Sequence, residues 1–217
     1  MLFLLTGEVQ IGKTRWLEAL LGELAAQGVP VAGVLAPGQW VPSSGAHADE
    51  RGYEKLGIDN VLLPGGERIS FARRGDLARA EGTFDEDSQA AQAELAWHIS
   101  DAAIDRVNAH FKMLRSLART ETAERETLPR FSRPGLLVVD ELGRLEVLCG
   151  GGLTEAVAVL AEGPSAAFPH ALVVVRDSLL DDVEALLADV GPDRVRVAPD
   201  EAGRTAVLSA VLGALRH

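Results

Sequence analysis

Four side chains in two short stretches have the types and spacing for phosphate chemistry. The first stretch is LFLLTGEVQIGKT, residues 2–14, in which Gly7-x4-Gly12-Lys13-Thr14 follows a short apolar run. This is the Walker A pattern, a strand feeding a glycine-rich loop and then a helix. Glycines let the backbone curl so that successive N–H groups face phosphate oxygens, and the helix N-terminus adds partial positive charge. Lys13 can reach the β- and γ-phosphates, and the Thr14 hydroxyl can ligate magnesium. Gly7, Glu8, Val9, Gln10, Ile11, Gly12, Lys13, Thr14 and Arg15 are the candidate nucleotide-binding residues. Lysine is rare here (Lys13, Lys55 and Lys112 only), and one of the three stands where the motif needs it. The second stretch is Leu136-Leu137-Val138-Val139-Asp140-Glu141, a Walker B pattern. Its Asp140 can hold Mg2+ through a water, and Glu141 can accept a proton from an attacking water. Kinases that phosphorylate a bound hydroxyl do not need that second carboxylate, so its presence favours hydrolysis.

The intervening pattern must place these groups on one rim. Leu2–Thr6, Pro30–Leu35, Leu136–Asp140, Ala171–Val175 and Arg194–Ala198 read as strands. Lys13–Gln27, Leu153–Glu162, Leu179–Asp189 and Gly203–Arg216 read as helices. On the first helix Trp16, Leu17, Leu20, Leu21 and Leu24 form one face, and Gly28 ends it. Alternating strands and helices predict a parallel sheet covered on both faces, with ligands at the carboxyl ends of the strands. Residues 36–83 differ. Pro37-Gly38, Pro42-Ser43-Ser44-Gly45 and Pro64-Gly65-Gly66 punctuate them, which predicts short strands and hairpins. Residues 85–125 read as helical, with a break near His98-Ile99-Ser100 and Ser100 as N-cap for a helix from Asp101. Residues 120–134 read as a linker. The hairpin-rich segment is expected to lie over the nucleotide and serve base or partner recognition; a peripheral hairpin covering a sheet edge is the competing expectation.

Composition narrows the function. At 217 residues the chain can form a single domain, 1–217, with 36–83 as an elaboration. A formal charge of −11 argues against a nucleic-acid surface. The single cysteine, Cys149, excludes an internal disulfide, fits a cytoplasmic protein, and reads as a small buried residue. No segment approaches membrane-spanning length, and no membrane partner is expected. His47, His98, His110, His170 and His217 lack metal-ligand spacing and read as surface or partly buried groups. Charge developing on a transferred phosphoryl group calls for a cation, often arginine. Arg144 and Arg176, just past predicted strand ends, are the candidates by position, with Arg73, Arg74 and Arg204 as further options. No Asn-Lys-x-Asp guanine-reading motif is present; Arg176-Asp177 stands where it would be expected.

These motifs resemble those of the THEP1-type nucleoside-triphosphatases, which hydrolyse ATP, GTP and other nucleoside triphosphates. Gly7–Thr14 matches the phosphate loop, with Glu8-Val9-Gln10-Ile11 in place of the usual internal Pro-Gly, and Arg15 where a small hydroxyl residue is common. Gly33-Val34-Leu35-Ala36-Pro37 is similar to the family's Gly-Phe-Tyr-Thr stretch, and Arg51-Gly52-Tyr53 to its Arg-x-Gly-Phe hairpin element. Asp140-Glu141-Leu142-Gly143-Arg144-Leu145-Glu146 is similar to its Asp-Glu-Ile-Gly-x-Met-Glu signature. The resemblance implies an α/β, three-layer αβα P-loop NTPase fold with a mostly parallel, RecA- or AAA-like sheet. It also implies another strand between the two that carry the motifs. Mg2+ is the implied cofactor and a nucleoside triphosphate the implied ligand. Two other functions stay open: a small-molecule or nucleotide kinase with its acceptor site in 36–83, and a nucleotide-gated adaptor that hydrolyses slowly and contacts an unidentified protein.

Overall fold

Residue parity along the parallel strands decides which helix layer each side chain meets. In the computed structural model, residues 1–8, 11–120, 131–191 and 193–216 are described. In chain order the strands are β1 (Leu2–Leu5), β2 (Val31–Leu35), β3 (Gly38–Pro42), β4 (Tyr53–Leu63), β5 (Glu67–Arg74), β6 (Trp97–Ile99), β7 (Leu136–Leu142), β8 (His170–Val175) and β9 (Arg194–Val197). The helices are α1 (Lys13–Ala26), α2 (Gly75–Ala80), α3 (Gln89–Gln92), α4 (Asp101–Ala118), α5 (Arg144–Val147), α6 (Thr154–Ala161), α7 (Leu180–Leu186) and α8 (Glu201–Gly213). Leu2, Leu4, Leu137, Val139, Val173 and Val175 point to one face of the sheet, where α4, α6 and α7 cover them. Phe3, Leu5, Leu136, Val138, Leu172 and Val174 point to the other, against α1 and α8. Strands apolar at both parities must be covered on both sides, which gives three layers.

Among the described residues the strands form one sheet in the order β6-β5-β4-β2-β7-β8-β1-β9, with β3 on β4. β2, β7, β8, β1 and β9 run parallel, and β8 lies between β1 and β7. The hairpin-rich segment extends this same sheet, because β4 pairs antiparallel with β2. Leu35 at the end of β2 faces Val61, so Tyr53–Asn60 of β4 overhang the carboxyl-end rim. β3 and β5 pair along that overhang.

Several local expectations change. Gly75–Ala80 is a helix within the turn-rich segment, its first turn carrying Asp76 and its last turn Arg79, as the helix dipole favours. Trp97–Ile99 is an edge strand, not helix; pairing with Arg74–Ala72 of β5 overrides a helix-like composition. The helix from Asp101 is present, though the Ser100 side chain does not cap it. Cys149 is exposed because it sits in the Cys149-Gly150-Gly151-Gly152 turn after α5, away from either core. His98 is buried, its ring tilted against that of Phe84 with centroids 5.1 Å apart. The linker expectation falls largely on 121–130, which lie outside the described residues, as do Val9, Gln10 and His217. No described helix is long and apolar enough to cross a membrane.

Candidate active site

The carboxyl ends of β1, β2, β7 and β8 bring the sequence motifs to one rim. After β1 the chain turns through Gly7 at φ +146° and enters α1 through Gly12 at φ +101°. Gly12 precedes α1 in a left-handed conformation that a side chain would strain, which explains a glycine immediately before the lysine. Glu8 and Arg15 are exposed, and Ile11 is 55% exposed at the loop tip. Lys13 is only 8% exposed. Its Nζ donates to the carbonyls of Gly7 (2.7 Å) and Glu8 (2.9 Å), so the ammonium lies inside its own loop.

Thr14, on the first turn of α1, points at the end of β7. Its Oγ1 lies 3.5 Å from Oδ1 of Asp140, a contact between residues far apart in the chain. The other carboxylate oxygen, Oδ2, accepts from the Ala36 N–H at 3.0 Å, just past β2. Asp140 is 3% exposed. Burial, reinforced by the neighbouring Glu141 charge, pushes its pKa up to about 6; the Ala36 N–H, the Thr14 hydroxyl and the Lys55 charge act the other way. The Thr14 hydroxyl and Asp140 carboxylate are hard oxygen donors, and a carboxylate held this dry favours a cation beside it. They fit Mg2+, which keeps much of its shell in water and phosphate oxygens. No described group of three or more His, Cys, Asp or Glu could hold a metal by itself, so those other oxygens would be needed.

Glu141 meets Arg176 at the end of β8, where Arg176 Nε donates to Glu141 Oε1 at 2.7 Å. The next residue, Asp177, accepts from the Thr6 hydroxyl at the end of β1. Arg144 opens α5, is exposed, and makes no ion pair with any described residue. Arg73 pairs with Glu81, Arg74 with Glu54 and Asp76, and Arg204 with Glu23. Of the candidate arginines, then, Arg176 stands against a carboxylate of the motif.

Two groups carry more than sequence reasoning assigned them. Glu146, quoted above only as part of the signature, is buried, and burial pushes its pKa up. It accepts from the Gly143 N–H (2.8 Å) and the Leu153 N–H (2.9 Å), tying the turn after β7 to the start of α6. A Cβ on Gly152, whose φ is +63°, would come within 2.0 Å of Glu146 Oε1, so that position requires glycine. Lys55 of β4 lies between two indoles, its Nζ 5.9 Å from the Trp40 ring centroid and 5.4 Å from that of Trp97. The scarcity of lysine was the one sequence signal that could have singled it out.

No family model and no curated protein sequence matches the chain. Solved structures do. The crystal structure of THEP1 from the hyperthermophile Aquifex aeolicus superposes with a TM-score of 0.57 at 14% identity, covering 100% of both chains. The solution structure of a human cancer-related nucleoside triphosphatase gives a TM-score of 0.54 at 16% identity, covering 98% of this chain and 95% of the other. Over essentially its whole length, this chain has the three-layer P-loop nucleoside-triphosphatase fold of those two proteins.

Proposed function

We propose that the chain is a Mg2+-dependent nucleoside-triphosphatase, hydrolysing ATP, GTP and other nucleoside triphosphates to the diphosphate and phosphate. The observation that carries this reading is the meeting of Thr14 with Asp140, with Lys13 on one side and Glu141 on the other. The fold shared with THEP1 and with a protein named as a nucleoside triphosphatase supports it.

In this mechanism Lys13 exchanges the carbonyls of Gly7 and Glu8 for β- and γ-phosphate oxygens, and the loop N–H groups hold the same oxygens. Thr14 and Asp140 would hold Mg2+, which when bound would supply positive charge against the phosphate oxygens. Glu141 takes a proton from the water whose oxygen bonds to the γ-phosphorus, and the bond from that phosphorus to the bridging oxygen breaks. Arg176, at the end of β8, orients Glu141 in the ground state and is the cation offered to the phosphoryl group. A kinase would hand the phosphoryl group to an acceptor hydroxyl in place of water. The adaptor reading gains little from α4, which exposes one large apolar side chain, Met113, among the described residues. The test is a panel of nucleoside triphosphates with Mg2+, assayed for phosphate release with and without candidate hydroxyl acceptors. Release without an acceptor, lost on chelation, is expected. Release only with an acceptor would make the protein a kinase.

A further inference from the structure

We propose that Lys55 is a terminal-phosphate contact, delivered to the rim by the β3–β4 hairpin, through which the site tells a nucleoside triphosphate from a diphosphate. This rests on the nucleotide-binding reading above. Lys55 faces Trp40 directly across the β3–β4 pair, and Trp97 sits beside it on β6. The two indoles hold the ammonium by cation–π attraction and fix the direction of a side chain that would otherwise be flexible.

The direction is toward the phosphate rim. A Cβ on Gly38 would lie 2.7 Å from Lys55 Cε and 2.6 Å from Trp40 Nε1, so the Lys55 stem packs directly on the Gly38 backbone. Gly38 is two residues past Ala36, whose N–H holds Asp140. β4 lies on the β2 side of β7 and the phosphate loop follows β1 on the other, so Lys55 stands on the side of the two carboxylates away from the loop. Burial lowers its pKa, the charges of Glu141 and Asp140 raise it in part, and the Arg176 charge lowers it, so it feels both carboxylates and the guanidinium paired with one of them. It forms no ion pair with any described residue. The arginines around it are committed: Arg74 to Glu54 and Asp76, Arg73 to Glu81, Arg176 to Glu141. A partly desolvated ammonium near the rim and without an ion-pair partner suits an anion. The γ-phosphate is the part of a triphosphate nearest the Walker B strand, and its oxygens on the side away from the loop are open to a second cation. A diphosphate offers nothing there. The competing role is purely structural, a peg between two indoles that stiffens the hairpin.

Affinities for Mg2+ with a non-hydrolysable ATP analogue and with ADP, measured by calorimetry, separate the two roles. Lys55→Met should weaken the triphosphate analogue about tenfold or more and leave ADP within about twofold. Lys55→Arg should recover part of the loss. Gly38→Ala keeps the charge but pushes the lysine stem aside, and should show the same selective loss if Lys55→Met folds poorly. Equal losses for both nucleotides, or none for either, would overturn the assignment and leave Lys55 a peg. Lys13→Ala is the control for the underlying reading: it should abolish binding of both nucleotides. A parent protein that binds neither removes the nucleotide reading, and this one with it.

Discussion

Arg176 donates to Glu141 across the ends of adjacent strands β7 and β8, pairing the candidate base with the candidate phosphoryl-stabilising cation. In this pair each group restrains the other. The guanidinium occupies a carboxylate oxygen that a water would need, and a guanidinium holding a carboxylate is not yet on the phosphate. A γ-phosphoryl group that draws Arg176 away would release Glu141 at the moment a base is needed.

Glu141→Gln should therefore keep nucleotide binding and lose turnover by roughly two orders of magnitude or more. Arg176→Ala should also slow turnover, and the double variant should be no slower than Glu141→Gln alone, since the two act as a unit. The side chains are 45% and 30% exposed, so neither change should alter stability by more than about 1 kcal/mol. Phosphate release and denaturant unfolding measured on the same four proteins decide it. Parental turnover in Glu141→Gln would make the residue structural.

Asp140 predicts a pH signature. Its ordinary value is 3.8 and burial lifts it to about 6. Between those values the folded chain holds a proton that the unfolded chain has released, so stability falls as pH rises through that window. The loss is about 3 kcal/mol, or roughly 6 °C in melting midpoint for a chain of this size. Asp140→Asn has no carboxyl to titrate and can still accept from Ala36. Relative to the parent, its midpoint should rise from pH 4 to pH 7 in metal-free buffer. A pH-independent difference would show that Asp140 is not held dry.

Glu146 predicts a purely structural effect. Glu146→Ala leaves the Gly143 and Leu153 N–H groups without their acceptor, at about 2–5 kcal/mol. Gly152→Ala drives a methyl into Glu146 Oε1 at a left-handed position and should cost about 2 kcal/mol or more. Urea unfolding measures both. A Glu146→Ala protein with the parental midpoint would assign that carboxylate to something other than the turn.

The parallel half of the molecule was legible because its signals are local and redundant. Leu136–Val139 is apolar at every position and can only be a strand buried on both faces, and Gly12 beside Lys13 announces a phosphate loop. The overhang was less legible. Trp40, Lys55 and Trp97 lie on three strands, and nothing in their neighbours' spacing says that they meet. Trp97–Ile99 has too few residues to express a strand period and sits amid helix-favouring residues. Arg144 and Arg176 follow strand ends alike, and only the β7–β8 register puts Arg176 on Glu141. Glu146 was visible solely through the family resemblance, since a buried carboxylate serving two backbone N–H groups leaves no mark in periodicity.

The place of β8 has a consequence for engineering the protein. β1 leads into the candidate phosphate loop and β7 carries the candidate carboxylates, and the two strands do not pair because β8 stands between them. Two inter-strand steps, roughly 9.5 Å, are thus the gauge to which the halves of the site are set. Val173 and Val175 fill that gap toward one helix layer and Leu172 and Val174 toward the other. Resizing these four side chains would tilt or shift one half against the other, and would retune the site from beneath while leaving every residue on its surface intact.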